Sequence, residues 1–226
     1  MPTSEKVIIK MVSDFVCPWC LIADTRLNKA IAETGAEGRV ERVWVPYELN
    51  PHMPEEGIER REYRSAKFGS WERSLELDAQ VKAVGEQDGI AFRHDLMQRA
   101  PNTRKAHRLT WIAARQGKAS AVAERILEAY FLGGLDIGDA EILADLAEKS
   151  GINKARVMAF LASGEGVEEV QAIEMENVRR GVQSVPLTVI GDQIISGAQH
   201  VQVFADAIIK TLEQKEKASS YYSSTN

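Results

Sequence analysis

Asp14-Phe15-Val16-Cys17-Pro18-Trp19-Cys20 joins a short apolar run to an amphipathic one, and it holds both cysteines of a 226-residue chain. Upstream, Val7-Ile8-Ile9-Lys10-Met11-Val12 is rich in β-branched residues, the pattern of a buried strand. Downstream, Cys20, Ala23, Leu27, Ala30 and Ile31 share one face at helical spacing, and Gly35 ends the pattern. Pro18 suits the first helical position, where its φ is already right and its missing N–H has no partner to lose. The stretch therefore predicts strand, turn and helix, with Cys17 at the helix N-terminus and Cys20 one turn inside.

That placement has chemical consequences. Unpaired backbone N–H groups and the helix dipole favour an anion at the N-terminus. The Cys17 thiol is accordingly expected to ionise below the ordinary value of about 8.5. Cys20, deeper in the helix, should hold its proton. The expected roles are Cys17 as the exposed nucleophile that forms a mixed disulfide and Cys20 as the resolving thiol that releases it. Pro18 and Trp19 between them shape the site and help to set its redox poise. Structural zinc needs four ligands, and His52, His94, His107 and His200 are scattered without ligand spacing, so no metal site is expected. A purely structural disulfide across so short a loop would restrain the unfolded chain little.

Composition narrows the setting. With 44% hydrophobic residues the chain can bury a substantial core. A net charge of −5 and a pI near 5.5 argue against a nucleic-acid surface. The basic residues Arg60, Arg61, Arg64 and Lys67 alternate with Glu59 and Glu62, which reads as a solvated helix face. No basic leader with an apolar stretch precedes the first strand, and no run of about eighteen apolar residues occurs. The expectation is a cytoplasmic protein that does not span a membrane. In a reducing compartment a Cys-x-x-Cys is more often catalytic or redox-sensing than structural.

The rest of the chain is organised around a helical block. Arg39–Pro46 alternates polar and apolar as a second strand would, and Pro46, Pro51 and Pro54 then break regular structure. From about residue 60 to 163 the pattern is helical. Asp139 and Asn153 are expected N-caps, and Gly151 a helix stop. A helix through Val167, Val170, Met175 and Val178 ends near Gly181. Val185–Ile190 and Ile194-Ile195 flank Gly191-Asp192 as a hairpin, followed by a final helix from about Val201 to Lys215. The order is β-α-β, about a hundred helical residues, then α-β-β-α. Residues 219–226 are polar and low in complexity, the composition of a frayed tail.

This order, with a Cys-x-x-Cys opening the first helix, resembles the thioredoxin fold, and the helical insertion resembles its DsbA-like branch. Further segments sharpen the likeness: Glu48-Leu49-Asn50-Pro51, Pro101-Asn102-Thr103 with Ala106-His107-Arg108-Leu109, Ala129-Tyr130-Phe131, Asp136-Ile137-Gly138-Asp139 and Gly197-Ala198-Gln199. Together they resemble the FrnE-like thiol oxidoreductases over roughly residues 6 to 212. The fold implied is α/β: a thioredoxin-like unit in two halves (1–58 and 165–216), a helical insertion (59–164) and a flexible tail (217–226).

The resemblance also assigns residues. Val185-Pro186 matches the superfamily's cis-proline, which packs beside the Cys-x-x-Cys. Asn102 lies in a segment near the redox site, where it would hydrogen-bond a glutathione or peptide backbone, or cap the following helix. His107 would either face the thiols or lie on a helix surface, the latter being favoured. Trp19 is expected to wall the substrate groove, and Trp44, Trp71 and Trp111 to pack internally.

The activity implied is thiol–disulfide exchange with protein or small-molecule disulfides and thiols, with no required cofactor and with glutathione as a co-substrate, in a monomer or homodimer. The related glutathione-dependent chromene carboxylate isomerases commonly carry serine at the first active-site position, where this chain has Cys17. Their chemistry, a glutathione-dependent isomerase or transferase acting on a small organic substrate, stands as the alternative. A binding protein that uses the fold as a scaffold is a third reading. The absence of further cysteines excludes a relay through a second dithiol within one subunit.

Overall fold

Val7, Ile9 and Met11 are buried on one face of strand β1 (Val7–Ser13), and this strand organises the molecule. In the computed structural model, which describes residues 6–224 and side chains as far as 218, β1 leads into α1 (Pro18–Glu33). Then come β2 (Val40–Pro46), β3 (Ile58–Glu59), α2 (Arg60–Phe68), α3 (Trp71–Gln87), a 3₁₀ turn at His94–Leu96 and β4 (Arg99–Ala100). The chain continues through α4 (Arg104–Ala114), α5 (Ala119–Phe131), α6 (Ala140–Lys149), α7 (Lys154–Ala162) and α8 (Val167–Arg179). It closes with β5 (Leu187–Ile190), β6 (Gln193–Ser196) and α9 (Val201–Ser224).

The main sheet has the order β2-β1-β5-β6. β2 runs parallel to β1, pairing Val7 with Val40 and Met11 with Trp44, while β5 is antiparallel, pairing Ile9 with Ile190. A parallel neighbour requires a crossover, and α1 supplies it. The β5–β6 hairpin turns at Gly191-Asp192 as expected. Gly191 has φ 60°, and a Cβ there would come within 2.7 Å of the Thr211 hydroxyl on α9, so two constraints call for glycine.

Two hydrophobic cores result, and α1 contributes to both. Leu27, Ala30 and Ile31 join β1 with Phe204 and Ile208 of α9 in the sheet core. Leu21 and Ile22 enter the insertion core with Leu109, Ile126, Leu127 and Phe131. Trp44 packs against both cores. The insertion is thus fixed to the helix that begins at the cysteines, which lets it shape their surroundings.

Helix ends follow the sequence closely. The Asp139 side chain accepts from the backbone N–H groups of Glu141 and Ile142, and Asn153 accepts from that of Arg156. Three features depart from expectation. The two-residue strands β3 and β4 pair antiparallel as a separate small sheet that no periodicity could announce. α9 runs from Val201 to Ser224, past the helix end expected near Lys215; residues 225–226 lie outside the described residues. The basic residues of α2 are not a fully solvated face, because Arg60 is buried against Asp78.

Candidate active site

The turn between β1 and α1 is built by Asp14. Its backbone carbonyl accepts from the Cys17 N–H at 3.2 Å, and its side chain accepts from the N–H groups of Phe15 at 2.7 Å and Leu49 at 2.8 Å. Nε2 of His107 on α4 stands 3.1 Å from the same carboxylate, and both side chains are fully buried. Phe15 lies between His107 and Trp44, with ring centroids 4.9 and 5.5 Å away. The loop ahead of Cys17 is therefore held from three distant segments.

Cys17 takes the N-cap position with φ −97° and ψ 110°, and Pro18 opens the helix. The Cys20 N–H donates to the Cys17 carbonyl at 3.0 Å, closing the first turn. The Cys17 Sγ sits 3.8 Å from the backbone carbonyl of Val185, whose peptide bond to Pro186 is cis. Cys20 is fully buried. Burial pushes its thiol well above the ordinary range, and the hydrogen bond and charge of Cys17 push it the same way. Ser13 and the backbone of Asp14 oppose the shift weakly. This geometry suits a reactive outer sulfur with a protonated inner one.

In front of Cys17 a cavity of about 290 Å³ opens between the first turn of α1 and the helices α2 and α3. Its walls include Trp19, Tyr63, Phe68 and Leu77 together with the cationic groups of Arg64 and Lys67. Behind the turn lies a second polar region. Glu48 is buried and receives Arg104 at 2.9 Å, and the carboxyl of Glu174 on α8 is pushed up to about 7. Burial is the main cause of that shift; His107 opposes it, while Glu48 and Asp14 add to it.

A DSBA-like thioredoxin domain model matches residues 8–209, nearly the whole chain. The chain belongs to that family. A 213-residue stretch is 30% identical to the uncharacterized protein YwbO of Bacillus subtilis (strain 168), covering 93% of this chain and 99% of YwbO. The crystal structure of a probable DsbA oxidoreductase from Streptomyces coelicolor superposes with a TM-score of 0.82 at 28% identity, over 92% of this chain and 90% of the other. A 2-hydroxychromene-2-carboxylate isomerase structure superposes at 0.72, with 18% identity over 93% of this chain and 98% of that one. At that identity the likeness is one of fold.

Within this DSBA-like site, Cys17, Cys20, Pro18, Trp19 and Val185-Pro186 come together. Cys17 is less open than expected: it is 5% exposed, with the Val185-Pro186 segment ahead of β5 on one side and the Trp19 side of the pocket on the other. Trp19 is 39% exposed and lines the pocket. His107 does not lie on the helix surface; it is buried and bonded to Asp14. Asn102 is also occupied. Its Nδ2 donates to the Met53 carbonyl at 2.7 Å, and its Oδ1 accepts from the Arg104 N–H at 2.9 Å, so its amide ties α4 to the 51–53 loop. It caps α4 from one residue ahead of the N-cap position, Thr103, and stands outside the pocket lining.

The sequence assigned no role at the site to Asp14, Tyr63 or Glu174, and it placed Arg64 and Lys67 on a solvated helix face rather than on the pocket wall. For α2 a signal existed: Arg60, Tyr63, Arg64, Lys67 and Phe68 recur at the three- and four-residue spacing of one helical face. Among the described residues no group of three His, Cys, Asp or Glu side chains is placed to hold a metal, and no helix is long and apolar enough to cross a membrane.

Proposed function

We propose that this chain is a cytoplasmic thiol–disulfide oxidoreductase working through Cys17 and Cys20. The observation that carries the reading is the pair itself: Cys17 at the N-cap beside the Val185 carbonyl, and Cys20 buried with its proton held. The Cys17 thiolate attacks a disulfide, one thiol of the substrate leaves, and a mixed disulfide forms. Cys20 then gives up its proton and attacks the Cys17 sulfur, releasing the second thiol and closing the Cys17–Cys20 disulfide. Two electrons pass from the dithiol to the substrate, so no metal or organic cofactor is required, and glutathione serves as the exchange partner. Both cysteines stand at this site and none remains for a structural bridge, which fits a reducing compartment.

The test is single-turnover reduction of a small disulfide by the reduced protein. Wild type should release two thiols per chain, Cys20→Ser should stop at a stable mixed disulfide, and Cys17→Ser should release none. Undiminished release from Cys17→Ser would refute the assignment. A second reading is supported by the small-molecule size of the cavity beside Cys17: a glutathione-dependent isomerase or transferase. It predicts turnover of an organic substrate that survives Cys20→Ser, since no resolving step is involved.

A further inference from the structure

The cavity beside Cys17 differs in charge from the protein around it. The chain carries a net charge of −5, yet Arg60, Arg64 and Lys67 all line this one cavity against a single carboxylate, Asp78. Asp78 is already divided between two arginines, with Oδ2 at 2.6 Å from Arg60 and Oδ1 at 2.7 Å from Arg64. Lys67 has neutral partners: its Nζ donates to the Tyr63 hydroxyl at 2.9 Å and to Asn50 Oδ1 at 3.2 Å. Three cations against one anion leave about two positive charges facing the cavity, a potential that recruits anions.

The rest of the lining describes the body of the ligand. Arg64 lies over the Phe68 ring at 4.8 Å and Lys67 over the Tyr63 ring at 5.3 Å, so each cation is presented on an aromatic surface. Trp19 and Cys17 form the facing wall. A volume of about 290 Å³ is at the lower end for small-molecule sites and far too small for a folded substrate.

We infer that this cavity is the binding site for a low-molecular-weight disulfide bearing a carboxylate, held by Lys67 and Arg64 with its sulfurs against Cys17. The inference rests on the oxidoreductase reading and adds to it the charge class of the substrate and the residues that select it. The reaction is R–S–S–R with the Cys17–Cys20 dithiol, giving two R–SH and the protein disulfide. One substrate S–S bond breaks and one protein S–S bond forms, and the two protons and two electrons lost by the protein reside on the released thiols. Lys67 and Arg64 act on the carboxylate only.

Three disulfides of similar size separate the possibilities: dithiodiglycolate (anionic), hydroxyethyl disulfide (neutral) and cystamine (cationic). The second-order rate of thiol release from the reduced full chain at low ionic strength should rank in that order, with about a tenfold preference for the anion over the neutral compound, as a charge-assisted hydrogen bond supplies. In Lys67→Gln the anion-to-neutral ratio should fall about fivefold, Lys67→Arg should restore most of it, and added salt should lower it in wild type. Equal wild-type rates, or a ratio unmoved in Lys67→Gln, overturn the proposal and leave the oxidoreductase reading intact. If the reduced wild type attacks none of the three, the oxidoreductase reading fails and this proposal fails with it.

Discussion

The two polar regions on either side of the Cys17 turn are built on opposite terms. Behind it, Asp14 and His107 are fully buried, and Asp14 has a partner for each carboxylate oxygen from residues as far away as His107. In front of it, Tyr63 and Lys67 are part-buried to exposed, bonded to one another and to Asn50. A buried polar group that loses its partner bears the full desolvation cost, whereas an exposed one turns to water. The rear region should therefore contribute stability and hold the cysteine turn in place, and the front should contribute recognition at little cost to folding.

Asp14→Ala tests the rear at its strongest point. It leaves the N–H group of Phe15 buried without an acceptor, takes away the acceptor of the part-buried Leu49 N–H, and removes the partner of the His107 ring. A loss of about 3 kcal/mol or more is expected. Asp14→Asn, which keeps an acceptor oxygen, should recover part of it. Urea unfolding midpoints at fixed pH check both. A loss under about 1 kcal/mol for Asp14→Ala would remove the contrast between the two regions, since that is the scale of a surface change.

Why Asp14 had to be found in three dimensions is itself physical. Strand β1, the helix bearing the cysteines and the hairpin at Gly191 are local patterns, written in periods of two and about 3.6 residues, and they were legible. So were the caps at Asp139 and Asn153. The partners of Asp14, by contrast, lie at Leu49 and His107, 35 and 93 residues away. His107 was misplaced on a surface because α4 runs through the middle of the insertion, burying Ala106, His107, Arg108, Leu109 and Thr110 in succession. Three of these are polar residues whose partners lie inside the protein, His107 on Asp14, Arg108 on the carbonyls of Phe160 and Ser163, and Thr110 on that of Ala106, so residue type alone pointed to a solvent face that the fold does not give them. The basic face of α2 erred in the other direction: its charges invited a solvated reading, while its one-sided spacing with Tyr63 and Phe68 pointed to a wall.

Glu174 gives a smaller effect with a distinctive pH signature. Its carboxyl is pushed up to about 7 from an ordinary value near 4.5, so between those limits the folded chain binds more protons than the unfolded one. Stability then falls as pH rises through that window, because the proton favoured by burial is being removed. Glu174→Gln keeps a neutral side chain at every pH. The variant and wild type should have similar stability below about pH 4.5, and the variant should be the more stable at pH 8, with the gap opening between. Parallel stability curves across that range would show that this carboxyl titrates as a solvated one and that the rear polar region ends at Glu48.

Tyr63→Phe completes the contrast with the smallest expected change. The hydroxyl donates to Asn50 Oδ1 and accepts from Lys67 at 2.9 Å, and both of those partners can turn to water at the cavity mouth. The stability change should stay within about 0.5 kcal/mol. The ring remains to support Lys67, but its ammonium loses one fixed partner, so the lysine should become more mobile and anion selectivity should fall modestly. Measured side by side, urea midpoints and the anion-to-neutral rate ratio should separate the two regions. Asp14→Ala should move the midpoint strongly, and Tyr63→Phe should move the ratio while leaving the midpoint nearly still. If Tyr63→Phe instead destabilised the fold as much as Asp14→Ala, the cavity wall would be part of the structural framework and the division between holding the cysteines and choosing their substrate would not stand.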